Sequence, residues 1–209
     1  MAQYFTIHPE NPQPRLIRQA AEIMRAGGVI VYPTDSCYAF GCHIGDKDAE
    51  QRIREIRQVD KQHHFTLVCR DLSEIAHYAK LDNQQFRLLK SATPGSYTFI
   101  LEATREVPRR LQHPKRATIG LRIPQHPVAQ ALLAELNEPI LSSTLILPGF
   151  DLPLNDLDEI REHVEKHVAL ILDGGACGVE PTTVIDLTGE MPAVLRKGRG
   201  SLIPFGLEH

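Results

Sequence analysis

Two hydrophobic periods run through this chain. Leu16, Ile17, Ala20, Ala21, Ile23 and Met24 recur at the three-to-four spacing of a helix buried along one side. Gly27-Gly28 stops that helix, because glycine takes a left-handed cap without steric cost. Val29 to Tyr32 is then a β-branched strand that Pro33 ends. The spacing predicts a helix over 46–58, with Ile53 and Ile56 inward, and a strand over 65–69. Asp71 and Asp82 stand as N-caps ahead of helices over 72–79 and 83–90. Strands are predicted at 97–101 and 118–123. A helix over 126–136 follows, with Val128, Ala131, Leu132 and Leu136 inward. After a strand at 139–147 comes a helix at 156–167, whose acidic first turn suits the helix dipole. The last strands are 169–172, 183–187 and 193–196.

Helices alternate with strands, but some strands follow one another directly. That pattern gives an α/β fold with a twisted mixed sheet and helices packed around it, not a purely parallel, doubly wound one. Neither a repeat nor a linker divides the chain, so residues 1–206 form one expected domain. Leu207, Glu208 and His209 read as the remnant of an expression tag.

Composition narrows the class. With 209 residues, 42% hydrophobic and 23% charged, the chain can bury a core without disulfide or metal support. No apolar run approaches the roughly 20 residues that span a bilayer, and Met1 to Pro14 is polar and Pro-rich, unlike a signal peptide. Cys37, Cys42, Cys69 and Cys177 lack CxxC spacing and paired finger histidines, so they read as reduced thiols of a cytoplasmic protein, with no metal site. The net charge of −3 gives no global sign of nucleic-acid binding. Locally, Arg105 to Arg122 carries six basic residues and one acid, which suits a local anionic ligand or, more plainly, a solvated loop.

Phosphate-loop, dinucleotide, serine-hydrolase and zinc-protease signatures are all absent. The chemistry-bearing positions are strand ends and loops. Thr34, Asp35, Ser36 and Cys37 follow Pro33 either as a hydrogen-bonding ligand loop or as an ordinary turn. Arg57, Lys61, His63 and His64 crowd one loop that suits phosphate groups. In the strand 118–124, Thr118 and Arg122 share the face opposite Ile119, Leu121 and Ile123. A mid-strand Arg122 lies on an open face, pairs with a carboxylate, or lines an anion site. Ser142, Ser143 and Thr144 are hydroxyls in an otherwise apolar strand and need partners, cross-strand bonding being the simplest. Thr182, Thr183 and Arg196 close the series.

In this order the segments Gly27 to Asp35, Pro94 to Leu101, Thr118 to Pro124, Pro139 to Thr144, Thr182 to Asp186 and Leu195 to Gly198 resemble the YrdC-like threonylcarbamoyl-adenylate synthase family, and its YciO branch most. The resemblance implies a concave basic cleft and the condensation of L-threonine, bicarbonate and ATP, with Mg²⁺, into threonylcarbamoyl-adenylate for tRNA modification. It also implies an alternative, a non-catalytic protein of the same fold that binds nucleotide or structured, double-stranded RNA. Carried over by motif, Thr34, Arg122, Ser143 and Thr182 would meet threonine. Arg57, Lys61, His63, Thr118, Thr144 and Arg196 would meet the nucleotide. The family's arginine, histidine and asparagine at three motif positions are here Val59, Val68 and Ile146. Loss of one arginine fork from a phosphate site costs about 1.5–3 kcal/mol of binding.

Overall fold

The computed structural model describes residues 1–207. The chain enters through a short strand, β1 (Gln3–Thr6), and a helix, α1 (Pro14–Arg25). Helix α1 ends as the sequence demands, with Gly27 at a φ of 94°. Strands β2 (Ile30–Tyr32) and β3 (Ala39–His43) follow, then α2 (Lys47–Arg57), β4 (Thr66–Val68), α3 (Leu72–Tyr78) and α4 (Asn83–Ala92). Strands β5 (Tyr97–Glu102) and β6 (Thr118–Arg122) precede α5 (Pro127–Leu136), β7 (Ile140–Thr144) and α6 (Leu157–Val164). Three strands finish the fold: β8 (Leu170–Asp173), β9 (Thr183–Asp186) and β10 (Ala193–Arg196). Asp71 and Asp82 cap α3 and α4, accepting from the backbone of Glu74 at 2.9 Å and Gln85 at 2.7 Å.

All ten strands join one mixed sheet in the order β1-β8-β2-β3-β7-β4-β6-β5-β9-β10. The pairs β1/β8, β2/β8, β4/β6 and β5/β9 are parallel, and the others are antiparallel. Two strands escaped the sequence reading. β3 (Ala-Phe-Gly-Cys-His) has no β-branched residue, and β1 is a short edge strand in a polar segment. Regular structure stops earlier than expected in α6 and β7, at Val164 and Thr144. Ala131 and Ile56, expected inward, are half-buried, while Ala129 and Leu133 take full burial in α5. Leu207 packs against the core, whereas Glu208 and His209 lie outside the described residues.

The sheet separates two cores. On one face Leu67, Phe99, Leu121 and Leu141 pack with Ile53 of α2, Ile75 of α3, Leu89 of α4 and Ile160 of α6. On the other face, α1 and α5 lie together over Ile30, Tyr32, Ala39, Ile140, Leu170 and Leu172. These two helices cover only one end of their face. Beyond them the sheet runs on bare, with a row of cross-strand partners reading Gly41, Ser142, Thr66, Gly120 and Ile100. The small side chains of Ser142, Thr66 and Gly120 leave a depression where the helical cover stops. No helix is long and apolar enough to cross a membrane among the described residues.

The helical cover rests on α5, where Leu133 is fully buried. Leu133→Ala is expected to lower unfolding stability by about 2–5 kcal/mol, read as a reduced urea midpoint at unchanged slope.

Candidate functional site

The bare end of the sheet is the floor of a hollow of about 290 Å³. Strand alternation sends Ser142 and Thr144 of β7, Thr66 and Val68 of β4, Gly120 and Arg122 of β6, and Thr98 and Ile100 of β5 to that floor. One wall is the loop after β2, with Thr34, Ser36 and Cys37. A second holds Arg57 from the end of α2 together with His63 and His64, and Thr182 and Arg196 close the far side. The hollow therefore gathers Thr34, Arg57, His63, Arg122, Ser143, Thr144, Thr182 and Arg196 from the sequence reading. Two expected residues lie elsewhere. Thr118 is on the same strand face but one step past Gly120, opposite Glu102 and outside the hollow. Lys61 is exposed and lines a neighbouring hollow.

Arg122 is 6% exposed and deeply anchored. It forms an ion pair with Asp35 and donates to Ser36 Oγ at 3.1 Å. Asp35 in turn accepts from the backbone of Gln125 at 3.0 Å, tying the loop after β2 to the strand carrying the arginine. Of the three sequence alternatives for Arg122, pairing with a carboxylate is the one observed, and the side chain also lines the hollow. Its Nε is buried and has no hydrogen-bond partner among the described residues. A buried guanidinium donor left unpaired is costly, and an acceptor in the hollow removes that cost.

Arg57 and Arg196 have no carboxylate partner among the described residues. Arg57 donates to Ile146 O at 3.0 Å and to Ser143 Oγ at 2.6 Å. Arg196 is held by Thr182, through its carbonyl at 2.8 Å and its hydroxyl at 3.1 Å, and Thr182 Oγ1 lies 2.8 Å from Thr98 Oγ1. A Cβ on Gly198 would fall 2.2 Å from Pro181 O, so only glycine lets the chain after β10 pass this close. His63 Nε2 is 3.0 Å from Ser143 Oγ and 3.3 Å from Arg57 Nη1. Because arginine can only donate, that nitrogen accepts, and the proton sits on Nδ1. Burial, helped by the Arg57 charge, pushes the His63 imidazole down to about 4.

The remaining hydroxyls are largely engaged. Thr34 Oγ1 donates to Cys37 O at 2.6 Å, so this segment is a true turn as well as a wall. Tyr32 donates to Ser142 Oγ at 2.7 Å, and Ser142 donates to Phe40 O, the cross-strand bonding expected of that hydroxyl run. Cys37 is buried beside them, and burial pushes its thiol up, away from the reactive thiolate. Sequence reasoning named Asp35 in its turn but not its pairing with Arg122, and it missed the floor residues Thr66 and Thr98. The alternation Thr66-Leu67-Val68 and Thr98-Phe99-Ile100 carried a signal, with a hydroxyl on one face and the core on the other.

The comparisons agree with this architecture. The family model named for Sua5, YciO and YrdC, and described as "Telomere recombination", matches residues 22–198. The protein YciO of Escherichia coli (strain K12) is 58% identical over 98% of this chain and 100% of its own length. Its crystal structure superposes with a TM-score of 0.94 over the same shares. A threonylcarbamoyl-AMP synthase of Halorhodospira halophila is 28% identical, covering 90% of this chain and 98% of that protein. The crystal structure of P. abyssi Sua5 complexed with L-threonine is 26% identical with a TM-score of 0.85, over 93% of this chain and 57% of that one. The family model over residues 22–198, the 58% identity over 98% of the chain and the superposition lead to one conclusion: the chain belongs to the Sua5/YciO/YrdC family.

Proposed function

We propose that the protein is a nucleotidyltransferase of the threonylcarbamoyl-AMP synthase type, acting in the cytoplasm in tRNA threonylcarbamoyladenosine modification. The observation that carries this reading is the unpaired, buried Nε of Arg122 in a hydroxyl-lined hollow also bordered by Arg57 and Arg196. Such a site offers a carboxylate anchor on the floor and two guanidinium forks at the rim for phosphates. The likeness to Sua5 complexed with L-threonine supports the same assignment.

L-threonine and bicarbonate condense with loss of water to an N-carboxylate. One of its oxygens attacks the α-phosphorus of ATP, and the bond to the leaving pyrophosphate breaks. The chain's part is positioning and charge. Arg122 would hold the threonine carboxylate, with Thr34, Ser143 and Thr182 around it, while Arg57, Arg196, His63 and Thr144 would border the nucleotide. No group of three His, Cys, Asp or Glu side chains suited to a metal exists among the described residues. Mg²⁺ would accompany the ATP, and the guanidiniums of Arg57 and Arg196 would be the charges this chain brings to the phosphates.

A second reading, a nucleotide- or structured-RNA-binding protein without turnover, is favoured by Val68 and Ile146. Both line the hollow with apolar surface. Val68 is the cross-strand partner of Arg122, so the place beside the carboxylate anchor offers no hydrogen bond. This reading predicts binding that weakens steeply with salt and no product. Affinity unchanged across a salt series would count against it.

For the synthase reading, pyrophosphate release from ATP should require both L-threonine and bicarbonate, and release no greater than background ends it. Arg122→Lys keeps a charge for Asp35 but loses the fork, so it should weaken threonine binding about tenfold or more by calorimetry. Arg122→Ala would also strip Asp35 of its partner and lower stability by about 3–5 kcal/mol.

The His63 imidazole makes a separate prediction. Its folded value of about 4 lies below the ordinary 6.5. The unfolded chain therefore takes up this proton first, and stability present above pH 6.5 is lost as the pH falls towards 4. His63→Asn should flatten that part of the acid limb when urea midpoints are compared at pH 7 and 4.5. An unchanged limb would show that the imidazole titrates normally.

A further inference from the structure

We propose that a second hollow, between the 58–65 and 105–117 loops, is an anion site built for a chain of linked phosphates. It encloses about 470 Å³ and shares His63, His64 and Phe65 with the first, so the two adjoin through one wall. Arg54, Lys61, Arg109, Arg110 and Lys115 line it, and no carboxylate does.

The inner two cations are structural. Glu50, 6% exposed, pairs with Arg54 and with Arg110, each at 3.0 Å. One carboxylate between two guanidiniums leaves an excess positive charge behind the hollow. Arg54 also donates to Asp60 O at 2.7 Å and to His63 O at 3.1 Å, which fixes the first loop. Stacked rings of His64 and His113, with centroids 5.3 Å apart, join that loop to the second. His113 Nδ1 accepts from the backbones of Lys115 and Arg116, at 3.2 and 3.1 Å, which fixes the second loop around its own histidine.

The outer three cations have a different status. Lys61, Arg109 and Lys115 are exposed, and their side chains make neither an ion pair nor a hydrogen bond among the described residues. Three like charges facing one hollow, held by loops that are themselves braced, repel one another with nothing internal to offset it. An anion with several linked charges relieves that repulsion at all three points, and the bracing confines the ordering that binding requires to the three side chains themselves. The matching chemistry is a diphosphate or triphosphate, either free or as the tail of a nucleotide seated in the first hollow. This assignment does not depend on the synthase reading, because the outer cations recognise phosphate whether or not a reaction follows.

Calorimetric titration of the full chain with inorganic triphosphate tests it. Wild type should bind, and the triple variant Lys61→Ala/Arg109→Ala/Lys115→Ala should bind about tenfold or more weakly, as loss of charge-assisted contacts requires. Lys115→Glu alone should weaken binding in the same direction, and Lys90→Ala, on α4 and lining neither hollow, should leave it unchanged. ATP and AMP separate the two sources. If wild type favours ATP over AMP and the triple variant loses that preference, the anion is the nucleotide's tail. If the preference is absent in both while triphosphate binding still falls, the anion is free polyphosphate. No triphosphate binding, equal binding by the triple variant, or an equal loss in Lys90→Ala would each overturn the proposal. Pyrophosphate release is not among these readouts, so failure here and failure of the synthase reading are told apart.

Discussion

One sheet face with too little helix to cover it is the constraint from which the site follows. Helices α1 and α5 pack on each other and over one end of that face, where Ile30, Ile140, Leu170 and Leu172 are apolar. The sheet continues past the helices from β7 through β4, β6 and β5, and there the outward positions change to Ser142, Thr66, Gly120 and Thr98. On the opposite face the same strands stay apolar with Leu67, Leu121, Leu141 and Phe99, because helices cover it throughout. Period-two alternation thus lets one sheet serve as core on one side and as floor on the other, without any change of backbone.

Within that floor, Arg122 shows how a costly residue becomes useful. A buried cation needs a partner, and Asp35 supplies one from the loop that walls the cavity. The pair does not exhaust the guanidinium, since Nε stays unsatisfied. Arg57 and Arg196 are treated otherwise: carbonyls and hydroxyls orient them and no carboxylate cancels their charge. The guanidiniums without a carboxylate partner among the described residues therefore stand at the rim, while the one on the floor is paired.

Much of this was legible in the sequence, for identifiable reasons. The alternation around Arg122 placed it on a strand face opposite Leu121, and the aspartates at 71 and 82 marked helix starts because their side chains hold the N3 backbone. Convergence of Thr34, Arg122 and Arg196 was expected from motif order and is what the hollow displays. Strand β3 stayed hidden because its side chains lack the β-branched signature and its pairing with β2 and β7 is supplied by tertiary context. Asp35 was visible as a turn residue, but its pairing with a residue 87 positions away was not, since nothing local encodes it. Thr118 was right in face and wrong in depth: alternation fixes which side a residue takes, not how far along the strand the cavity extends.

The far wall of the hollow comes from the last part of the chain. Thr182 comes just before β9 and Arg196 ends β10 beside it, far along the sheet from β2, and Gly198 lets that segment close against Pro181. The same part of the chain buries Ile185, Leu187, Leu202 and Phe205 in the core, so the hollow gains its far wall only when that core is complete. Ligand affinity and completion of the sheet are for that reason a single event, and any molecule that fills the hollow draws the whole folding equilibrium towards the finished protein.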